Sequence, residues 1–169
     1  VKPEGAGIYA QDADGKLARF VAEQAPEKHF VFNEGFCPVH EELKLKELQA
    51  LKEQHPEAEV LTHPECGEAV CRESDYIGST SGIIAHAEAS GAKEFIICTE
   101  NGVRFELGKR CPGKKFYFTA TEPVCGDMKL ITLEKILRVL ETGENEVLAD
   151  PSMVEEAGKP LEEMLRLAK

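Results

Sequence analysis

Residues 59–98 read EVLTHPECGEAVCRESDYIGSTSGIIAHAEASGAKEFIIC. The stretch holds three short apolar runs, Val60 to Thr62, Tyr76 to Ile77 and Phe95 to Cys98, with helix-like patterns filling the gaps. That alternation is the signature of β-α units stacked on a parallel sheet. Further strands are expected at Ile8 to Ala10, Phe30 to Phe32, Phe116 to Phe118 and Val147 to Ala149. Leu45, Leu48 and Leu51 put an apolar stripe on a helix that stops before Pro56. Leu133, Ile136, Leu137 and Leu140 give a second one, with Thr132 as its N-cap and Gly143 as its stop. A third helical region opens at Asp150-Pro151, and Pro160 is expected to interrupt it before Leu161, Met164, Leu165 and Ala168 resume an apolar face. The expected class is α/β, built of repeated three-layer αβα modules with parallel sheets.

The chain also repeats itself. Pro26, Lys28, Phe30 and Phe32 before Cys37 recur as Pro112, Lys114, Phe116 and Phe118 before Cys125. Glu59 to Pro64 is answered by Glu146 to Pro151, and the offset stays between 86 and 88 residues. A period of that size is too long for a solenoid and fits duplicated small domains. With modules ending at the repeated cysteines, residues 1–37 read as the tail of a preceding α/β module and 38–125 as a complete one. Residues 126–169 read as a C-terminal segment that packs on a first module outside this stretch. A chain starting and stopping inside modules is expected to be a piece of something larger.

Bulk composition narrows the function classes. Of the 169 residues, 20 are Lys or Arg and 31 are Asp or Glu, giving a net charge of -11. This argues against a nucleic-acid groove or an anionic membrane surface as the main partner. Six cysteines with no signal peptide or tight pairwise framework suit a reducing cytoplasm, where thiols bind metal or stay free. No apolar run approaches the length of a membrane span.

Most of the chemistry-bearing residues follow expected strands. These are Cys37, His63 and Glu65, Ser79 and Thr80, Thr99 and Glu100, and Cys125. In open α/β sheets the crevice beyond the carboxyl ends of the strands collects ligands. Gly78-Ser79-Thr80-Ser81-Gly82 enters a helix expected near Ile83, so its N–H groups and hydroxyls can face an anion; a capped turn is the alternative. His63-Pro64-Glu65 sets an imidazole and a carboxylate on one rigid loop, suited to binding a polar substrate and moving its protons; a surface turn is the alternative. Any one cysteine is more often just a small buried hydrophobe, and Cys98 at a strand end fits that well. Cys37 and Cys125, at equivalent corners of related modules, can each give one thiolate to a shared cluster that needs a third.

These residues resemble the quinolinate synthase (NadA) family. The matching pieces are Gly35 to His40, His63 to Cys66, Gly78 to Ser81, Thr99 to Gly102, Cys125 to Lys129 with Thr132-Leu133, and the Pro160 to Leu167 tail. The resemblance implies three similar modules around a pseudo-threefold axis and a [4Fe-4S] cluster held by one cysteine from each. Cys37 and Cys125 would be the second and third metal ligands, the remaining one coming from a region before Val1. It implies His63 and Glu65 as catalytic residues, with His63, Pro64, Glu65, Ser79 and Thr80 holding substrate. The implied reaction condenses iminoaspartate with dihydroxyacetone phosphate to quinolinate in NAD biosynthesis, the cluster acting as Lewis acid. A functional link to L-aspartate oxidase or aspartate dehydrogenase and a cytoplasmic location are also implied, with this chain alone expected to be inactive. Two rival readings remain at this point. One is a non-enzymatic α/β anion-binding module without a cluster. The other is a zinc-stabilised scaffold using Cys37, Cys66 or Cys71 with His40 or His63.

Overall fold

The computed structural model describes Glu27 and residues 36–167. The expected strands at Ile8 to Ala10 and Phe30 to Phe32, and with them the first copy of the repeat up to Gly35, lie outside the described residues. Two compact units are present, Val1–Cys125 and Gly126–Lys169.

In the first unit, helices α1 (Pro38–Glu41) and α2 (Leu45–Gln54) lead into strand β1 (Glu59–Thr62). Then follow α3 (Glu68–Arg72), β2 (Tyr76–Ile77), α4 (Thr80–Ala89), β3 (Glu94–Cys98), α5 (Val103–Arg110) and β4 (Lys115–Phe118). The strands form one parallel sheet in the order β2-β1-β3-β4. Each of the four apolar runs in this part of the sequence is a strand, and three start one residue before the first apolar position.

Strand alternation builds a core on each face of the sheet. Val60, Ile96 and Cys98 pack with Leu43, Leu48, Val70, Cys66 and Cys71 beneath α2 and α3. Leu61, Phe95 and Ile97 pack with Ile83, Ile84, Ala87, Val103 and Leu107 beneath α4 and α5. The result is a three-layer αβα arrangement. Helix α2 buries Leu48 completely and lays Leu45 and Leu51 on the first cluster, as the stripe requires. Helix α4 starts at Thr80, three residues before the expected Ile83, because the Ser79 hydroxyl accepts the Gly82 N–H at 3.2 Å and caps the helix there.

In the second unit a 3₁₀ turn, Met128–Leu130, precedes α6 (Leu133–Thr142) and α7 (Pro151–Leu167). Thr132 caps α6 by accepting the Lys135 N–H, and Gly143 stops it in the left-handed region at φ 67°. Two expectations fail in this unit. Val147 to Ala149 is not a strand; Val147 is 90% exposed, and no other described residue of the unit offers a strand to pair with. Nor does Pro160 interrupt α7, which runs through it. A proline inside a helix removes one N–H bond, and the remaining turns, started by the Asp150 carboxylate on the Ser152 N–H, hold the rest.

Candidate functional site

The strand order locates the crevice. The chain leaves β1 for β2 on one side and β3 for β4 on the other, so the carboxyl ends of β1 and β3 flank the topological switch point. The ladder continues one step beyond the strands, with His63 N–H donating to Cys98 O at 2.9 Å. His63 and Thr99 therefore stand side by side where a ligand is expected.

Four side chains converge there. His40 and His63 stack face to face, ring centroids 4.2 Å apart and planes within 6°. Glu65 Oε2 lies 3.2 Å from His40 Nδ1 and 3.6 Å from His63 Nδ1. His40 Nε2 sits 3.0 Å from Thr99 Oγ1 at the end of β3. His63 Nδ1 accepts the Glu65 N–H at 3.3 Å, which leaves its Nε2 as the donor. Both imidazoles are held below the ordinary histidine pKa, chiefly by burial, with Glu65 opposing the shift in each. Burial thus favours the neutral form of each ring.

Cys37 joins this group because α1 is short. It occupies the N-cap position of α1, with Pro38 at the first helical position, and the Cys37 carbonyl accepts the Glu41 N–H at 3.1 Å. One turn later comes His40, so thiol and imidazole share a helix face. Cys37 Sγ, His40 and Glu65 present ligand atoms all within 4.8 Å of one another. Cys125 reaches the same rim from β4. Its N–H donates to Glu100 Oε1 at 3.3 Å, and Glu100 is the neighbour of Thr99. The loop before it is tied down by Glu47 of α2, whose carboxylate accepts both the N–H and the hydroxyl of Thr121.

The six thiols are all free and fall into two classes. Cys66, Cys71, Cys98 and Cys111 are buried. The Cys66 thiol donates to Cys98 O and the Cys71 thiol to Cys66 O. Burial pushes the thiols of Cys71 and Cys98 up to about 12 and that of Cys66 higher still. Such thiols are poor ligands and poor nucleophiles. Cys37 and Cys125 alone are half-buried. The zinc scaffold drawn from Cys66 or Cys71 loses those donors to the core.

Ser79 and Thr80 lie beside this group along the sheet rather than within it. Gly78 N–H donates to Thr62 O at 3.1 Å, which seats their turn at the end of β1. Both side chains are exposed at the start of α4, and the Ser79 hydroxyl also pairs with that of Ser81. The turn depends on its glycines. A Cβ at Gly78 would stand 2.6 Å from Tyr76 Oη and one at Gly82 2.8 Å, while the Tyr76 ring is held by stacking on His86. Gly78→Ala is expected to cost about 1–3 kcal/mol of stability in thermal unfolding. In a Tyr76→Ala background that cost should shrink, and a strictly additive pair would show that the ring is not what excludes the methyl group.

His40 is the site residue that motif reading undervalued. The signal was its spacing three residues after Cys37, but only packing against Thr99 shows it as a buried member of the group.

The chain matches the family described as Quinolinate synthetase A protein over residues 11–166. It is 42% identical over 156 residues to a protein of Clostridioides difficile named quinolinate synthase, covering 92% of this chain and 51% of that one. Proteins of the same name from Fusobacterium nucleatum and Aquifex aeolicus are 43% and 41% identical, again over 92% of this chain. The chain spans about half the length of these curated relatives. Matched along nearly its whole length, the chain belongs to the quinolinate synthetase A (NadA) family.

Proposed function

We propose that this chain provides part of a quinolinate synthase, an enzyme that condenses iminoaspartate with dihydroxyacetone phosphate, loses phosphate and water, and closes a pyridine ring. The observation that carries the reading is the meeting of His40, His63, Glu65 and Thr99 at the switch point of a parallel sheet, in a chain of this family. Two neutral imidazoles and a carboxylate make a site that binds anions and moves protons. With its Nδ1 already accepting from the Glu65 backbone, His63 turns an Nε2–H donor to a substrate carboxylate or oxyanion. The Glu65 carboxylate takes and returns the protons that tautomerisation and dehydration require. Ser79 and Thr80, with the backbone N–H groups that open α4, hold the substrate's anionic group beside them, and Pro64 keeps His63 and Glu65 in register.

The donor chemistry fits a [4Fe-4S] cluster. Of the six thiols, the two that escape full burial are the two that border this group, and Cys37 and Cys125 would each supply one thiolate, with a third from outside these 169 residues. When bound, a cluster with one iron lacking a protein ligand supplies a Lewis acid for a substrate oxygen. In this reading residues 38–125 are a complete module. Residues 126–169, whose Leu133, Leu140, Leu161 and Leu165 are all more than half exposed, pack on a first module. The enzyme would work in the cytoplasm, next to an L-aspartate oxidase or aspartate dehydrogenase supplying its unstable imine.

The test is a chimera in which residues 11–166 replace the matching half of the Clostridioides difficile relative, reconstituted anaerobically with iron and sulfide. Equal amounts of iron and acid-labile sulfide are expected, with quinolinate formed from the two substrates, and Cys37→Ser and Cys125→Ser should each lose the cluster. A folded chimera that keeps its full iron and sulfide in both variants would refute the ligand assignment. One that holds the cluster and forms no quinolinate would refute the activity.

A further inference from the structure

We infer that Cys37, His40 and Glu65 form a site for one divalent, borderline-soft metal ion, best satisfied by Zn²⁺, with a fourth coordination position left open to the crevice. This goes beyond the cluster reading and does not depend on it. It uses one thiol instead of two, and it recruits a nitrogen and an oxygen donor that a thiolate-held cluster does not need.

The geometry carries the argument. The three ligand atoms already lie within 4.8 Å of one another. Around a tetrahedral Zn²⁺ with bonds of the usual length, ligand atoms stand about 3.4 Å apart. The His40 Nδ1 to Glu65 Oε2 distance of 3.2 Å is close to that value before any ion is added. Cys37, in the N-cap position and half-buried, needs only a side-chain adjustment to close the set.

His40 is well placed as a ligand. It is 7% exposed, and its Nε2 is engaged by the Thr99 hydroxyl. Its Nδ1 is buried and makes no hydrogen bond of good geometry, with the Glu65 carboxylate 3.2 Å away as its nearest polar neighbour among the ion pairs of the site. In the tautomer that donates Nε2–H to the Thr99 hydroxyl, Nδ1 carries the lone pair and the ionised Glu65 carboxylate has no proton to give it. A cation placed among the three ligand atoms satisfies all three groups at once. The two anionic ligands also cancel its charge, and the Thr99 hydroxyl is the outer partner that fixes the ring. One thiolate, one imidazole and one carboxylate with an open position is a donor set that suits Zn²⁺. Because Cys37 belongs to both sites, a zinc-loaded chain should resist loading with iron and sulfide until a chelator strips the ion.

The 169-residue chain, metal-free, anaerobic and kept reduced with a phosphine, is titrated with Co²⁺ alone. The expected result is one equivalent bound, with a sulfur-to-cobalt charge-transfer band, the strong visible bands of a four-coordinate ion, and displacement of both by Zn²⁺. Cys37→Ser should remove the charge-transfer band. Thr99→Val should weaken binding by about 10–100-fold, through the freed ring. Glu65→Gln replaces a half-exposed carboxylate by its isostere without disturbing the fold, and should weaken binding by at least about tenfold. Cys125→Ser should bind as the unsubstituted chain does. The proposal is overturned if the charge-transfer band survives Cys37→Ser, if it disappears with Cys125→Ser, or if Co²⁺ gives only the weak bands of a six-coordinate ion. Cluster assembly is read separately, from iron and sulfide content and from its need for Cys125, so either result can fail alone.

Discussion

Replacing Glu65 by Gln in the assembled enzyme is expected to lower quinolinate formation by about 10²–10⁴-fold, the range for losing a positioned acid-base group. Bound iron and sulfide should stay unchanged. The substitution keeps the side chain's size and leaves the backbone N–H that donates to His63 Nδ1 at 3.3 Å, so His63 keeps its tautomer. What it removes is a proton acceptor whose oxygen lies within 3.6 Å of both imidazoles and whose side chain is 39% exposed to the crevice. Glu65→Asp, which retains the acid but withdraws it by one methylene, should recover part of the rate. If the Gln variant turned over at the wild-type rate, proton transfer would have to be assigned elsewhere. The same substitution separates the two metal proposals, because cluster content is indifferent to Glu65 while a single Cys37-His40-Glu65 ion is not.

How far this site could be read before folding depends on which residue is asked about. His63 and Glu65 are two positions apart on a loop after an apolar run, so chain geometry alone brings them together. His40 is 23 positions earlier, and its role exists only because α1 sits against the end of β3 with Nε2 on Thr99. Among the six cysteines the repeat already sets Cys37 and Cys125 apart, and burial divides the set at the same place, four core thiols and two half-buried ones. The sheet was legible because its central strands are covered on both faces, so Val60 to Thr62 and Phe95 to Cys98 are unbroken buried runs. Val147 to Ala149 misleads for the converse reason. It copies the pattern of Glu59 to Thr62, but a strand is a pairing and not a pattern, and the second unit offers it no partner among the described residues.

Phe95→Ala should be the most damaging single truncation in the first unit, costing about 3–5 kcal/mol in urea-induced unfolding. Phe95 is fully buried and pairs with Phe116 across the sheet, the rings stacked at 5.6 Å. It packs beneath α4 among Ile83, Ala87 and Ile97. The Lys114 ammonium lies 5.3 Å from the ring centre while it donates to the carbonyls of Ala87 and Ser90 at the end of α4. Truncation therefore opens a cavity and takes away the surface over which this clamp is held. Domains of this size are stable by about 5–15 kcal/mol, so the loss is a large fraction of the whole. Leu165→Ala, at a position 56% exposed in the second unit, should by contrast change stability by no more than about 0.5 kcal/mol. The consequence reaches the site, since β3 carries Phe95 at one end and delivers Thr99 to His40 at the other. Near its new midpoint the variant should lose Co²⁺ binding together with secondary structure. Binding that persisted after the sheet had melted would mean that Cys37, His40 and Glu65 do not need β3 to hold them in place.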